Sequence, residues 1–280
     1  MIYTITFNPA LDYVIKMQNL KIGKINKSPK EYIYPGGKGI NVSIVLKVLE
    51  QETTAMGFIS GFVGEEIEKQ VQKYGVKTDF IKIENENSRI NIKILEETQE
   101  TAINAKGPHI EEKYLELLYK KLERIEDKDT LVLSGSVPNG ISSNIYETIC
   151  QKLKNKNIKI IVDSTGELLL KTLKYKPYLI KPNQQELEEI FNTKIVNKDQ
   201  ALEYAKKLQE KGAQNVIISM GSKGAVLLDE NGYSYKINAL NTKDAINTVG
   251  AGDSMVAGFL AGHEMFNNCL LYTSPSPRDA

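Results

Sequence analysis

The stretch Asn247-Thr-Val-Gly-Ala-Gly-Asp-Ser254 holds the residue types and spacing best suited to chemistry in this chain. It is a glycine loop feeding the small-residue run Met255–Gly262, with a carboxylate where loop becomes helix. Glycines at 250 and 252 open backbone conformations that a Cβ forbids, so the N–H groups of Gly250, Ala251 and Gly252 can converge on one spot. A helix start adds unpaired donors and the positive end of its dipole. Such a cradle holds an anion. Asp253 would be repelled by a resting anion, so the pairing suggests proton abstraction beside a phosphate in transfer. Read alone, the octapeptide is better taken as an aspartate N-cap after a turn.

Other segments carry related chemistry. Tyr34-Pro-Gly-Gly-Lys-Gly-Ile-Asn41 is a second glycine cluster running into a helix, with Lys38 a mobile cation at its start. It is not a Walker P-loop, because no Gly-Lys-Ser/Thr follows four variable residues. A dinucleotide fingerprint is also a poor fit, since the cluster follows a lid strand and not the first strand. In Lys181-Pro-Asn-Gln-Gln-Glu186, Asn183 and Glu186 lie one helical turn apart. They could share a water or a Mg²⁺ ion, which prefers oxygen ligands and keeps waters, or simply form a capping box. Ser219-Met-Gly-Ser-Lys-Gly-Ala225, with Gly221 and Gly224, reads as a tight turn or as a nucleotide-facing loop after a parallel strand.

Composition narrows the classes. The chain has 280 residues, 41% hydrophobic and 25% charged, enough for one large α/β domain. A net charge of +1 supplies no basic excess for nucleic acid or an acidic membrane surface. Arginine occurs only at Arg89, Arg124 and Arg278, which singles out Arg89. Cys150 and Cys269 make no metal-type pair, and His109 and His263 are too few for a histidine zinc site or a Ser-His-Asp triad. The start lacks a signal-peptide pattern and no apolar run reaches spanning length, so the expected location is cytoplasmic.

The positioning elements alternate. Strands are predicted at Ile2–Phe7, Thr54–Ile59, Thr130–Leu133, Ile158–Val162, Tyr178–Ile180, Asn215–Ser219 and Ala225–Leu228, several apolar throughout, as in sheets covered on both faces. Between them lie helices such as Ile40–Leu49, with Val42, Val45, Leu46 and Leu49 in one stripe. Asp199–Lys211 reads as a helix capped by Asp199 and ended by Gly212. The alternation predicts a doubly wound, mostly parallel sheet. Tyr13–Met17, Tyr32–Tyr34, Ile90–Leu95 and Thr101–Asn104 break the rhythm and are assigned to a small antiparallel sheet, a lid drawn from about residues 12–35 and 86–106. Period two puts Arg89, Asn91 and Lys93 on one face and Ile90, Ile92 and Ile94 on the other, either a flap over a polar ligand or an ordinary half-buried strand. Residues 269–280 carry no periodicity and read as a non-native or disordered tail behind a domain of residues 1–268.

Taken together, Asn8-Pro-Ala-Leu-Asp12, Pro35-Gly-Gly-Lys-Gly-Ile-Asn41, Ser134-Gly-Ser-Val-Pro138, Asp163-Ser-Thr-Gly166, Lys181-Pro-Asn-x-x-Glu186 and Thr248-Val-Gly-Ala-Gly-Asp-Ser254 resemble the ribokinase-like (phosphofructokinase B type) carbohydrate kinases, in order over residues 1–266. The resemblance implies a three-layer α/β/α sandwich with a β-sheet lid, often shared across a homodimer, and Mg·ATP-dependent phosphorylation of a sugar phosphate. It is strongest to the branch acting on fructose 1-phosphate, with the tagatose 6-phosphate branch the alternative. Carried over, Asp253 would be the base and Gly250, Ala251 and Gly252 the anion hole. Asp12, Gly37 and Asn41 would hold sugar hydroxyls, joined by Asn104 on the substrate side. Lys38 and Arg89 would hold the sugar's phosphate. Lys181, Asn183, Glu186, Ser219, Gly221 and Gly224 would line the ATP side, with Glu186 reaching Mg²⁺ through water. The family's helices beyond the Gly-Ala-Gly-Asp helix have no counterpart in this chain, so a sugar-phosphate binder without turnover stands as the reading from another class.

Overall fold

Strand-forming runs of Ile, Val and Leu end within one plane, and the segments between them wind back across it as helices. The computed structural model describes residues 1–97, 99–138, 140–239 and 250–266. Strands β1 (Ile2–Thr6), β2 (Ala10–Lys16) and β3 (Lys30–Gly36) precede helix α1 (Lys38–Val48). Then come β4 (Thr53–Ser60), α2 (Gly61–Lys73), β5 (Lys77–Ile83), β6 (Arg89–Leu95), β7 (Glu100–Ile103) and α3 (Glu112–Leu122). The middle of the chain supplies β8 (Thr130–Ser134), α4 (Ile145–Leu153), β9 (Lys159–Asp163), α5 (Gly166–Leu170) and β10 (Leu179–Ile180). It is followed by α6 (Gln184–Phe191), α7 (Lys198–Glu210), β11 (Asn215–Ser219), β12 (Ala225–Leu228), β13 (Ser234–Ile237) and α8 (Ala251–Phe266).

The main sheet has nine strands in the order β13-β12-β11-β10-β9-β8-β1-β4-β5, parallel except at one edge, where β12 pairs antiparallel with both β11 and β13. Successive side chains point to opposite faces of a strand, and both faces here are covered. Leu131, Leu133, Val216 and Ile218 pack into a core with α3, α4 and α7. Their neighbours Val132 and Ile217 pack on the other face against Val42, Val45 and Leu46 of α1 and Val256, Phe259 and Leu260 of α8. This is the expected three-layer α/β/α sandwich. Phe259 is fully buried, so truncating it to alanine costs about 3–5 kcal/mol.

A second sheet, order β3-β2-β6-β7, stands apart. It is mixed and not wholly antiparallel: β2 and β6 run parallel, flanked by antiparallel β3 and β7. It leaves the main body at Ala10, Gly36 and Arg89, which align at one end of the sheet. Its polarity is inverted, as period two predicts. Asn91 and Lys93 are buried beneath it, while Ile33, Ile90 and Ile103 on other positions are exposed.

Some expectations are corrected. Helix α7 starts one residue earlier than expected and is capped by Asn197, whose side chain accepts from the Gln200 amide at 2.9 Å, and not by Asp199. Strands β5 and β13 were not anticipated. Both are edge strands, where Lys77, Asp79 and Lys82 of one and Ser234 and Lys236 of the other can reach water. Residues 247–249 of the glycine loop, Cys269 and the tail 269–280 lie outside the described residues.

Candidate active site

In a parallel sheet every strand ends on the same side, so the loops after β1, β8, β9, β10 and β11 gather at one rim. Thr6 and Asn8 follow β1, Ser134 and Gly135 end β8, Asp163 ends β9, Lys181 follows β10 and Ser219 ends β11. The second sheet overhangs this rim. Between them lies a cavity of about 520 Å³ lined by Asp12, Gly37, Lys38, Asn41, Arg89, Asn104, Lys181, Asn183, Ser219, Gly250, Gly252 and Asp253. These residues, separated by up to most of the chain length, all carry sequence-based site expectations. Ala251 is exposed and does not line the cavity with its side chain. Glu186, Gly221 and Gly224 are also absent from its lining. Gly224 has a structural reason: at φ +91° a Cβ would stand 2.0 Å from the Ile237 carbonyl oxygen. The turn reading therefore accounts for that glycine.

The floor is built by two helix starts. Lys38 opens α1 after Gly37, and Asp253 sits in the first turn of α8. Asn41 donates from Nδ2 to Asp253 Oδ2 at 2.7 Å, joining the starts across 212 residues. Asp253 is only 6% exposed. Burial, reinforced by the negative charge of Asp163, pushes its pKa up to about 7, although Asn41, Lys181 and Lys38 pull the other way. A carboxylate in that range can accept a proton near neutral pH.

Asp163 lies below. Lys38 Nζ donates to its Oδ1 at 3.1 Å, and Lys181 Nζ is 3.4 Å from the same oxygen. Burial alone would raise this carboxyl, but Lys181 and then Lys38 outweigh it and hold it below the usual carboxylate range. Lys38 is correspondingly raised: its desolvation opposes charging, and Asp163, Asp253 and Glu186 overcome that cost.

The roof belongs to the second sheet. Asp12 accepts from Asn91 Nδ2 at 2.9 Å, and its other oxygen is 3.2 Å from Lys93 Nζ. Arg89 is oriented by backbone carbonyls, its Nε donating to Asn8 O at 3.1 Å and its Nη1 reaching Ala105 O at 3.5 Å. Thr6, Asn8, Asn91, Lys93, Ser134, Gly135 and Ser136 also line the cavity, although the sequence assigned none of them an individual role. Asn91 and Lys93 were legible on the polar face of β6. Thr6, Asn8 and Ser134 stand at the carboxyl ends of parallel strands, a signal that topology supplies and residue type does not.

Asn183 and Glu186 form a reciprocal capping box, the Glu186 amide donating to Asn183 Oδ1 and the Asn183 amide to Glu186 Oε2, both at 2.8 Å. Among the described residues no cluster of three acidic, histidine or cysteine side chains could grip a metal directly. No helix among them is long and apolar enough to cross a membrane.

A doubly wound sheet, a second smaller sheet over its rim and a buried carboxylate in the first turn of α8 together fit the phosphotransferase class to which the comparisons assign the chain. Residues 6–267 match the family described as pfkB family carbohydrate kinase, and the chain belongs to that family. It is 41% identical to the 1-phosphofructokinase of Bacillus subtilis over 262 residues, covering 94% of this chain and 85% of that protein. Identity to the D-tagatose-1-phosphate kinase of Bacillus licheniformis is 37% over 266 residues, covering 95% and 86%. Among solved structures, phosphofructokinase-2 from Escherichia coli in complex with fructose-6-phosphate superposes with a TM-score of 0.87 at 27% identity, over 96% of this chain and 88% of that one.

Proposed function

We propose that this chain transfers the terminal phosphoryl group of ATP to the free primary hydroxyl of fructose 1-phosphate, giving fructose 1,6-bisphosphate and ADP. The observation that carries the reading is Asp253: a buried carboxylate with a raised pKa, in the first turn of α8 and within a cavity that also holds Lys38, Lys181 and Arg89. The acceptor hydroxyl gives its proton to Asp253 as its oxygen bonds to the terminal phosphorus. The bond to the leaving ADP oxygen breaks in the same displacement. Phosphoryl transfer asks little covalent chemistry of the protein, so positioning and charge neutralisation suffice.

The amides of Gly250, Ala251 and Gly252 receive the moving phosphoryl oxygens, which is compatible with the exposed side chain of Ala251, because the backbone does the work. Asp12, Gly37, Asn41 and Asn104 face the sugar. Lys38 is tied to Asp163 next to Lys181, so it suits the transferred group better than the sugar's own phosphate. Arg89 takes that phosphate, joined by Lys93 from the same face of β6. Asn183 and Ser219 flank ATP. Mg²⁺ fits only indirectly: with one Glu186 oxygen taken by the capping box, Asn183 and Glu186 would hold the ion through water, where it neutralises phosphate charge.

The lid's exposed Ile33, Ile90 and Ile103 offer an apolar back for a second copy of the chain. A tagatose phosphate is the second substrate reading, favoured by the tagatose-1-phosphate kinase relative. ADP release measured with fructose 1-phosphate, tagatose 1-phosphate, tagatose 6-phosphate and free fructose decides between them. The proposal expects the highest kcat/KM for fructose 1-phosphate. A higher value for either tagatose phosphate would reassign the substrate, and thermal stabilisation by a sugar phosphate with no ADP release would make the chain a binder only.

A further inference from the structure

Asp163 has a geometry that the reaction described above leaves unused. It is fully buried at the end of β9, and its Oδ1 meets both Lys38 Nζ at 3.1 Å and Lys181 Nζ at 3.4 Å. The two lysines come from opposite halves of the site. Lys38 opens α1 beneath the lid, and Lys181 follows β10 on the nucleotide side. Two ammonium groups drawn to one buried oxygen repel each other unless an anion sits between them. Asp163 Oδ2 has no partner among the described side chains and backbone groups, so the lysines are what balance its charge. Lys181 is also pressed against the first turn of α8: a Cβ on Gly252 would lie 2.9 Å from its Nζ. The absence of that Cβ lets the ammonium reach the helix start that holds Asp253.

Resting on the phosphoryl-transfer reading, we propose that Asp163 is a positioning residue that gathers Lys38 and Lys181 into a paired cation at the start of α8, where the transferred group's charge develops. The carboxylate acts through the lysines and touches no substrate. It also bears on the base. The charged groups facing Asp253 are Asp163, Lys181 and Lys38, with Asn41 as its hydrogen-bond donor; Glu186 bears on Lys38. Asp163 opposes ionisation of Asp253, and the two lysines favour it. Removing Asp163 and removing Lys38 therefore displace the base in opposite directions, a signature that loss of packing would not produce.

The test is kcat against pH for the full chain, for Asp163→Asn and for Lys38→Met, with saturating ATP, Mg²⁺ and the best ketose phosphate. Asp163→Asn is expected to lower kcat about tenfold or more, leave KM for the sugar phosphate within about threefold, and move the acid limb to lower pH. Lys38→Met is expected to move the acid limb to higher pH. Limbs that move the same way, or stay put while the melting temperature falls, overturn the proposal. So does full recovery of Asp163→Asn by raising Mg²⁺, which would make the residue act through the metal. If Asp163→Asn does not fold, an unmoved limb in Lys38→Met is enough to overturn it. A wild-type chain that turns over no ketose phosphate would instead refute the underlying transfer reading.

Discussion

The two sheets of this molecule bury opposite things. The main sheet places Leu131 and Leu133 on one face and Val132 on the other, all wholly buried under helices. The smaller sheet buries Asp12, Asn91 and Lys93 and leaves Ile33, Ile90 and Ile103 exposed. Burying polar groups is costly unless they are paired, and the smaller sheet pairs Lys93 and the Asn91 amide nitrogen to Asp12 but leaves Asn91 Oδ1 without a partner among the described residues. Apolar burial, worth about 1.5–3 kcal/mol for each large side chain, makes the main sheet a stable platform. The smaller sheet gains far less from its own interior. Its apolar anchor is narrow, Leu11 of β2 packing with Ile40 of α1 and with Val63 and Ile67 of α2.

That contrast can be broken most severely at the platform's rim. Asp253→Asn should cut kcat on the order of 10²–10⁴-fold while sugar-phosphate affinity stays nearly intact; steady-state ADP release with binding by calorimetry checks both. A lid substitution should split the other way. Arg89→Met is expected to raise KM for the sugar phosphate about 10–100-fold, the loss of a charge-assisted contact of about 1.5–3 kcal/mol, with a smaller change in kcat.

The unliganded protein offers a subtler test, because function and stability oppose each other at Asp253. Its raised pKa means that the folded state resists ionisation. The resulting penalty is absent below about pH 4, grows with pH, and levels off above the folded value of about 7. Asp253→Asn should therefore melt higher than the parent at pH 8, by up to a few kcal/mol in stability, and equally near pH 4. Thermal scans at the two pH values check this. The smallest effect is expected at the lid's back: Ile90→Ser should leave kcat within about twofold while shifting any self-association seen by sedimentation toward monomer.

The same contrast explains what the sequence could tell. Runs such as Asn215-Val-Ile-Ile-Ser219 and Ala225-Val-Leu-Leu228 sit in the sheet interior, where composition and structure agree, and their bounds were read without error. Strand β5 escaped notice because an edge tolerates the charges that disguised it. Asn197 and Asp199 are both good cap residues two positions apart, and only the packing of α7 chooses between them. In the site, glycine clusters announced Lys38 and Asp253. The meaning of Asp163 could not be read locally, since it arises only when Lys38, 125 residues away, folds onto the same oxygen. The lid's polar face was legible as period two, but its parallel β2–β6 pairing was not, because register across a long crossover leaves no local mark.

The central claim is that the fold keeps one buried carboxylate basic at the start of α8. Carbon-13 NMR titration of aspartate carboxyls, with Asp253→Asn to assign the resonance, tests it without any substrate. The account predicts a carboxyl that titrates near 7 and vanishes in the variant. A resonance for Asp253 titrating near 4, as an ordinary exposed aspartate does, would contradict it.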